Sequence, residues 1–321
     1  MKSTILGMFF LAMALTAKAA DLTTVWGARA SFQVTFQVVD DEGRAVEGAM
    51  LGCGWGRLGF SAPDVGQANL LTSADGKGVV SGRSVFNEFN YHAEKLGYYA
   101  ARSVGYDKQL FRERVDDRWE PWNPTIKLVV KRIRNPVPMY VKRLAASLPA
   151  LNTPVGYDLE VGDWVAPYGK GHAADLVFAG RLEQRGDRDF DWKLKVSFSH
   201  PGDGLQRFDG ESNAGGGELR SPYEAPADGY VPEWTLIRSR RTESAEQSTF
   251  KPDGAYFFRI RTELDAQGKV VKAWYGKIYG DFFDMVYYLN PDGTRNVEFD
   301  PKRNLFKPAK PDDSAFWNLR P

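Results

Sequence analysis

In Ser31-Phe32-Gln33-Val34-Thr35-Phe36-Gln37-Val38 the apolar side chains fall on every second position. That is the period of a strand with one buried face. Asp40-Asp41-Glu42-Gly43 predicts a turn, because Asp and Gly accept the positive φ that tight turns need. Ala49, Leu51, Cys53 and Trp55 alternate next, with Gly48, Gly52 and Gly54 on the opposite face. A second turn is predicted at Ser73-Ala74-Asp75-Gly76-Lys77-Gly78, and Leu96-Gly97-Tyr98-Tyr99 follows a further short strand. Ile126, Leu128 and Val130 alternate with Lys127 and Lys131 and close this half.

Arg132-Ile133-Arg134-Asn135-Pro136-Val137-Pro138 predicts a boundary, since its prolines stiffen the chain and cannot donate to a sheet ladder. Beyond it, Phe190, Trp192, Leu194, Val196 and Phe198 alternate with Asp191, Lys193, Lys195, Ser197 and Ser199. This is the clearest strand in the sequence. Tyr256 to Leu264 reads as a strand reaching a turn at Asp265-Ala266-Gln267-Gly268, and Val270 to Tyr275 returns as its hairpin partner. Met285 to Leu289 is another short strand, ended by Asn290-Pro291-Asp292-Gly293. No stretch sustains a 3.6-residue period over three turns, and only Leu144 to Leu148 is expected to form one helical turn. The pattern therefore predicts an all-β chain of two domains, residues 26–134 and 135–321, with helix below roughly 15%.

Particular residues sharpen the first domain. Val38-Val39-Asp40-Asp41-Glu42-Gly43-Arg44-Ala45-Val46-Glu47-Gly48-Ala49 resembles the first hairpin of carboxypeptidase regulatory-like domains. Thr72-Ser73-Ala74-Asp75-Gly76-Lys77-Gly78 is similar to that family's T-D-x-x-G turn, with Ser73 in place of its first aspartate. Lys95-Leu96-Gly97-Tyr98 is similar to its K-x-G-Y strand. The resemblance spans about residues 31–132. It implies a transthyretin-like, Ig-like β-sandwich acting as an accessory module, and no activity of its own. In the second half, Pro136-Val137-Pro138-Met139-Tyr140, Gly156-Tyr157-Asp158-Leu159, Gly162-Asp163-Trp164-Val165 and Tyr287-Tyr288-Leu289-Asn290-Pro291 resemble runs in an uncharacterised exported bacterial family. That resemblance implies no function.

Met1 to Ala19 has the build of a secretory signal peptide: a basic start at Lys2, apolar residues from Ile5 to Leu15, and the small-x-small site Ala17-Lys18-Ala19. The apolar stretch is too short to span a bilayer, and no later one reaches 18 residues. Cleavage after Ala19 removes Lys2 and Lys18 and no acid, so the net charge goes from +1 to −1. The mature chain is expected in the periplasm or outside the cell, without membrane insertion. Near-neutral charge argues against a nucleic-acid partner. A single cysteine excludes an intrachain disulfide framework, and its apolar strand neighbours place Cys53 in the first core.

Catalytic chemistry finds little support. His172-Ala173-Ala174-Asp175 and His200-Pro201-Gly202-Asp203 repeat one spacing, which makes His172, Asp175, His200 and Asp203 weak metal candidates; neither pair matches a ligand motif such as H-E-x-x-H. Asp187, Asp189 and Asp191 open like a calcium loop, but Trp192 occupies the sixth position, where glycine is required. Arg185-Gly186-Asp187 spells a three-residue adhesion motif that a turn explains equally. Gly169-Lys170-Gly171-His172 lacks the G-x-x-x-x-G-K-S/T spacing of a phosphate loop. G-x-S-x-G is absent. Asp158 with Asp163 would serve a glycosidase only if folding set their separation.

The remaining lead is aromatic: Trp164, Tyr168, Tyr223, Tyr230 and Trp234 lie near Gly and Pro in segments that read as loops. Sugars stack their C–H faces on such rings. The sequence thus points to an exported, non-catalytic binding or adhesion module, with a glycan or a cell-envelope protein as partner and no cofactor. The alternatives are a glycan- or peptide-directed hydrolase in the C-terminal domain, and a structural envelope component.

Overall fold

Ala30–Val39 organises the first half. It runs antiparallel to Lys77–Ser84 along one side. Along the other it runs parallel to Thr125–Val129 and, at Ser31, to Arg118–Glu120. A facing sheet orders Gly66–Leu71, Met50–Trp55, Phe89–Glu94 and Ala101–Arg102. The alternation read in the sequence becomes the core: Phe32, Val34, Phe36 and Val38 from one sheet meet Leu51, Cys53, Phe89 and Tyr91 from the other. Phe32 locks edge-on against Trp55 (5.0 Å) and Phe89 (4.9 Å). Each such side chain contributes about 1.5–3 kcal/mol by leaving water.

This computed structural model describes residues 28–56, 65–103, 105–145, 147–210, 217–251, 253–308, 310 and 312–321. The predicted leader, residues 1–19, lies outside them. All regular structure among the described residues is strand, apart from a 3-10 turn at Ser314–Phe316. No helix among them is long and apolar enough to cross a membrane.

The second half packs two six-stranded sheets face to face. One orders Asp163–Trp164, Val155–Asp158, Leu176–Gly186, Asp189–Ser197, Glu233–Arg240 and Gln247–Ser248. The other orders Gly204–Arg207, Ala255–Leu264, Val270–Gly280, Asp284–Asn290, Val137–Ala145 and Phe299–Asn304. Between them sit Phe178, Leu194, Val196 and Leu236 against Phe258, Ile260, Ile278 and Tyr287. The far face of the second sheet is also covered, with Val141, Phe257, Tyr288 and Phe299 packed with Ala225 and Val297. A sheet buried on both faces reads as a continuous apolar run, which explains Tyr256-Phe257-Phe258.

The helical turn expected at Leu144 to Leu148 does not form. Leu144 and Ala145 continue the Val137–Ala145 strand and pair with Met285 and Asp284. Pro138 is accommodated at a register shift between Val137 and Met139, where a missing N–H breaks no ladder bond.

Candidate functional site

Asp175 and Asp203, two of the weak metal candidates, do converge, but on an arginine. Arg261 lies where the Ala255–Leu264 strand shifts register against its neighbour, between Ile260 and Glu263. Its φ is +52°, in the left-handed region that costs a non-glycine residue energy. Asp203 stabilises that backbone by accepting from the N–H of Arg261 (3.1 Å) and Thr262 (2.9 Å). The guanidinium then points at carboxylates. Nε and a terminal nitrogen donate to the two oxygens of Asp175 at 2.8 and 3.0 Å. That same terminal nitrogen also reaches Asp158 (3.3 Å), the other one donates to Glu160, and Cζ lies 4.3 Å from the centre of the Trp274 ring.

Of the two imidazoles, His172 stays outside this hub and His200 touches only its edge. His172 is exposed, and its backbone N–H donates to Asp158 Oδ2 (2.9 Å). His200 Nδ1 is 3.6 Å from Asp203 and 3.2 Å from Ser199 Oγ. Both neighbours meet the same ring nitrogen, so this is not the relay in which aspartate holds one nitrogen and serine gives its proton to the other. No group of three or more His, Cys, Asp or Glu among the described residues could hold a metal ion. Asp158 and Asp163 face each other across paired strands, yet both carboxylates are committed to backbone. Asp158 accepts from Glu160, Val161, His172 and Ala173, and Asp163 from Trp164 and Lys170. Burial pushes the Asp158 carboxyl up, but these N–H bonds and the Arg261 charge outweigh it and hold the group below its ordinary range.

The five aromatic candidates are not brought together. Trp164 packs edge-on against Tyr157 (5.1 Å) and Phe178 (5.6 Å) at the rim of the second core. Trp234 does the same against Tyr256 (5.5 Å). Tyr230 donates to Pro226 O and lies under Arg259. Tyr223 donates to Arg132 O and is covered by Arg134 at 3.9 Å. Tyr168 alone is exposed, at 42%.

Rings do converge elsewhere. Leu182, Trp192 and Arg238 stand opposite one another on three adjacent strands, with Gln184 opposite Phe190 one step further out. By alternation they share the face that carries Leu194 and Leu236 into the core. Here that face runs beyond the opposing sheet, and the space it leaves is a groove of about 960 Å³. Ala145, Leu148, Leu151, Phe250 and Phe283 form its other wall. Asp281 accepts from the N–H of Phe283 and Asp284, a turn that buries Phe282 and aims Phe283 outward. Phe283 sits 5.7 Å from Trp192 and 5.1 Å from Phe250. Gly180 lets two of the lining residues close in: a Cβ there would stand 2.5 Å from Leu148 and 2.8 Å from Trp192. Arg238 lies over Phe190 and grips both oxygens of Glu246 at the rim, holding that carboxyl below its ordinary range.

The acidic run beside the groove is also spoken for. Asp189 and Asp191 receive Arg185, and Asp191 receives Arg241 as well. The arginine of the Arg185-Gly186-Asp187 tripeptide is therefore tied to its own hairpin.

No protein-family model matches the chain, and neither does any curated protein. Solved structures with some likeness include a streptococcal ancillary pilin (11% identity, TM-score 0.22, 84% of this chain and 61% of that one). A DUF3823 family protein from Parabacteroides merdae is 8% identical, with TM-score 0.18 over 85% of this chain and all of that one. The Bacillus anthracis TIE protein is 11% identical, with TM-score 0.21 over 84% of this chain and 49% of that one. The chain thus spans about three fifths of the pilin and half of the TIE protein. Likeness at these scores identifies neither a common fold nor a common role.

Proposed function

We propose that the protein is an exported, non-catalytic binding or adhesion module, whose second sandwich holds a glycan chain in the groove beside Trp192. The observation that carries this reading is the convergence of Phe190, Trp192, Phe250 and Phe283 on one open space. Ring faces suit the C–H faces of sugars, while Gln184, Ser147, Asp281 and the Arg238–Glu246 pair offer donors and acceptors to hydroxyls along the same groove. The first half, read as a carboxypeptidase regulatory-like sandwich, serves as a spacer. Export to the periplasm or cell exterior rests on the leader Met1 to Ala19, and binding of this kind needs no cofactor or metal.

The test is a glycan array with the mature protein, followed by calorimetry on any hit. Binding is expected, and Trp192→Ala should weaken it at least tenfold, about 1.4 kcal/mol. Trp164→Ala should leave the affinity within twofold. An array without hits, or hits indifferent to Trp192, would overturn the reading.

A further inference from the structure

We propose that the Gly66–Leu71 strand is a self-association edge, pairing antiparallel with the same strand of a second copy. Proteins guard the outermost strand of a sheet because its free N–H and C=O groups are a template for another chain. Elsewhere among the described residues the guards are visible. Phe299–Asn304 carries Pro301, Lys302 and Arg303. Lys77–Ser84 carries Lys77 and Arg83, Thr125–Val129 carries Lys127, and Glu113–Val115 carries Glu113 and Arg114. Gly204–Arg207 is covered by two backbone bonds between Leu205 and Val231. The remaining outer strands are two residues long.

Gly66-Gln67-Ala68-Asn69-Leu70-Leu71 has none of these devices. It holds six residues in unbroken register with Met50–Trp55 and contains no charge, proline or bulge. Its inner ladder can be phased from its end. Thr72 N–H donates to Ala49 O, so alternation turns the N–H groups of Leu70, Ala68 and Gly66 inward and those of Leu71, Asn69 and Gln67 outward. These three outward peptide groups have no partner among the described residues. Beside them Leu71 is 62% exposed and Met50 45%.

A second copy fits this edge better than a foreign chain, because the pattern is its own complement. With a twofold axis at Asn69, Asn69 opposes Asn69 of the other copy and Gln67 opposes Leu71. All three outward residues then fall in hydrogen-bonded pairs, each exchanging two bonds. The Asn69 side-chain amides, which both donate and accept, meet on the axis. No charge is brought against its like. An edge of six residues buries less than a permanent dimer needs, so the association depends on concentration.

Sedimentation velocity of the mature protein, from micromolar to near-millimolar concentration, tests this. A monomer–dimer equilibrium is expected. Asn69→Pro removes an outward donor and leaves the inward ladder intact, so it should weaken dimerisation at least ~tenfold with unchanged circular dichroism. Asn69→Lys places like charges face to face and should do the same, which decides the matter if the proline variant misfolds. A wild-type protein that stays monomeric throughout, or folded variants that dimerise as wild type does, overturns the proposal. Glycan binding at the distant groove is measured separately and is independent of either outcome.

Discussion

Cys53 shows how much a single position inherits from its strand. Alternation with Ala49 and Leu51 puts it inside, and it is 2% exposed in the first core. Burial pushes its thiol up to about 12, so almost none is thiolate at neutral pH. Thiol reagents should leave the folded protein unmodified and react stoichiometrically once denaturant is added; fast labelling of native protein would contradict this placement. Cys53→Ala should cost about 1 kcal/mol, the loss of one small buried group. Lys277 is the opposite case, a charge-bearing residue that alternation assigns to an inner face. It is wholly buried, donates to Ser221 Oγ at 3.1 Å and lies against the rings of Tyr288 and Tyr279. Desolvation, with Lys131 and Arg220 nearby and only Glu298 opposing, drives its pKa well below the ordinary lysine value. The folded state then holds the amine neutral at a pH where the unfolded chain, titrating near ~10.4, still binds a proton. Stability therefore rises with pH up to that value and falls as pH drops below it. Lys277→Met should stabilise the protein at pH 7 by about 1–4 kcal/mol, with a gain that shrinks as pH approaches 10. Urea titrations at both pH values measure it, and an equal gain at each would mean that Lys277 is charged in the folded state.

At the scale of elements, what was legible depended on whether one face or two are buried. Ser31 to Val38 and Phe190 to Phe198 alternate because each has one wet face, and the observed strands, Ala30–Val39 and Asp189–Ser197, agree to within a residue or so. Val137–Ala145 was hidden, because its prolines read as a linker and its end as a helical turn. The strand survives because Pro138 falls at a bulge, a tertiary circumstance with no local signature. The groove was missed for a related reason. Phe190 and Trp192 alternate with charged residues, and that pattern marks a shared face without saying whether another sheet covers it. Leu176–Gly186, buried at its start and exposed from Arg181 onward, shows that the sheet outruns its partner. Only the length of the opposing sheet decides where a core face becomes an open wall. The histidine–aspartate repeats failed differently. Local spacing brought two carboxylates to one place, and the residue that joins them, Arg261, lies 58 positions beyond the nearer.

For the whole molecule, the Arg132 to Pro138 segment, which the sequence reads as a domain boundary, is bound on both sides. Glu298, 1% exposed, accepts from the Tyr99 hydroxyl at 2.9 Å and from the N–H groups of Arg134 and Asn135 at 2.8 and 2.7 Å. One carboxylate of the second half therefore grips both the first half and the connector. Around it, Lys131 donates to Ser221 O, Tyr223 to Arg132 O, and Arg134 reaches Asp41. The Glu298 carboxylate only accepts in these three bonds, so no neutral isostere can replace it. Glutamine can keep one oxygen in place, but its NH2 must then face a donor, leaving a buried N–H or hydroxyl unpaired. Glu298→Gln should therefore cost about 1–3 kcal/mol, the penalty for stranding a buried donor. The loss falls on the contact between halves and leaves both sandwich cores untouched, so it should appear as lost cooperativity. Calorimetry should show one transition for the wild type and two for the variant. Cys53, sealed in the first core, should become reactive at a lower denaturant concentration than the one that unfolds the second sandwich. If Glu298→Gln melts in a single transition at the wild-type temperature, the carboxylate does not couple the halves, and the proline connector spaces them as its sequence suggested.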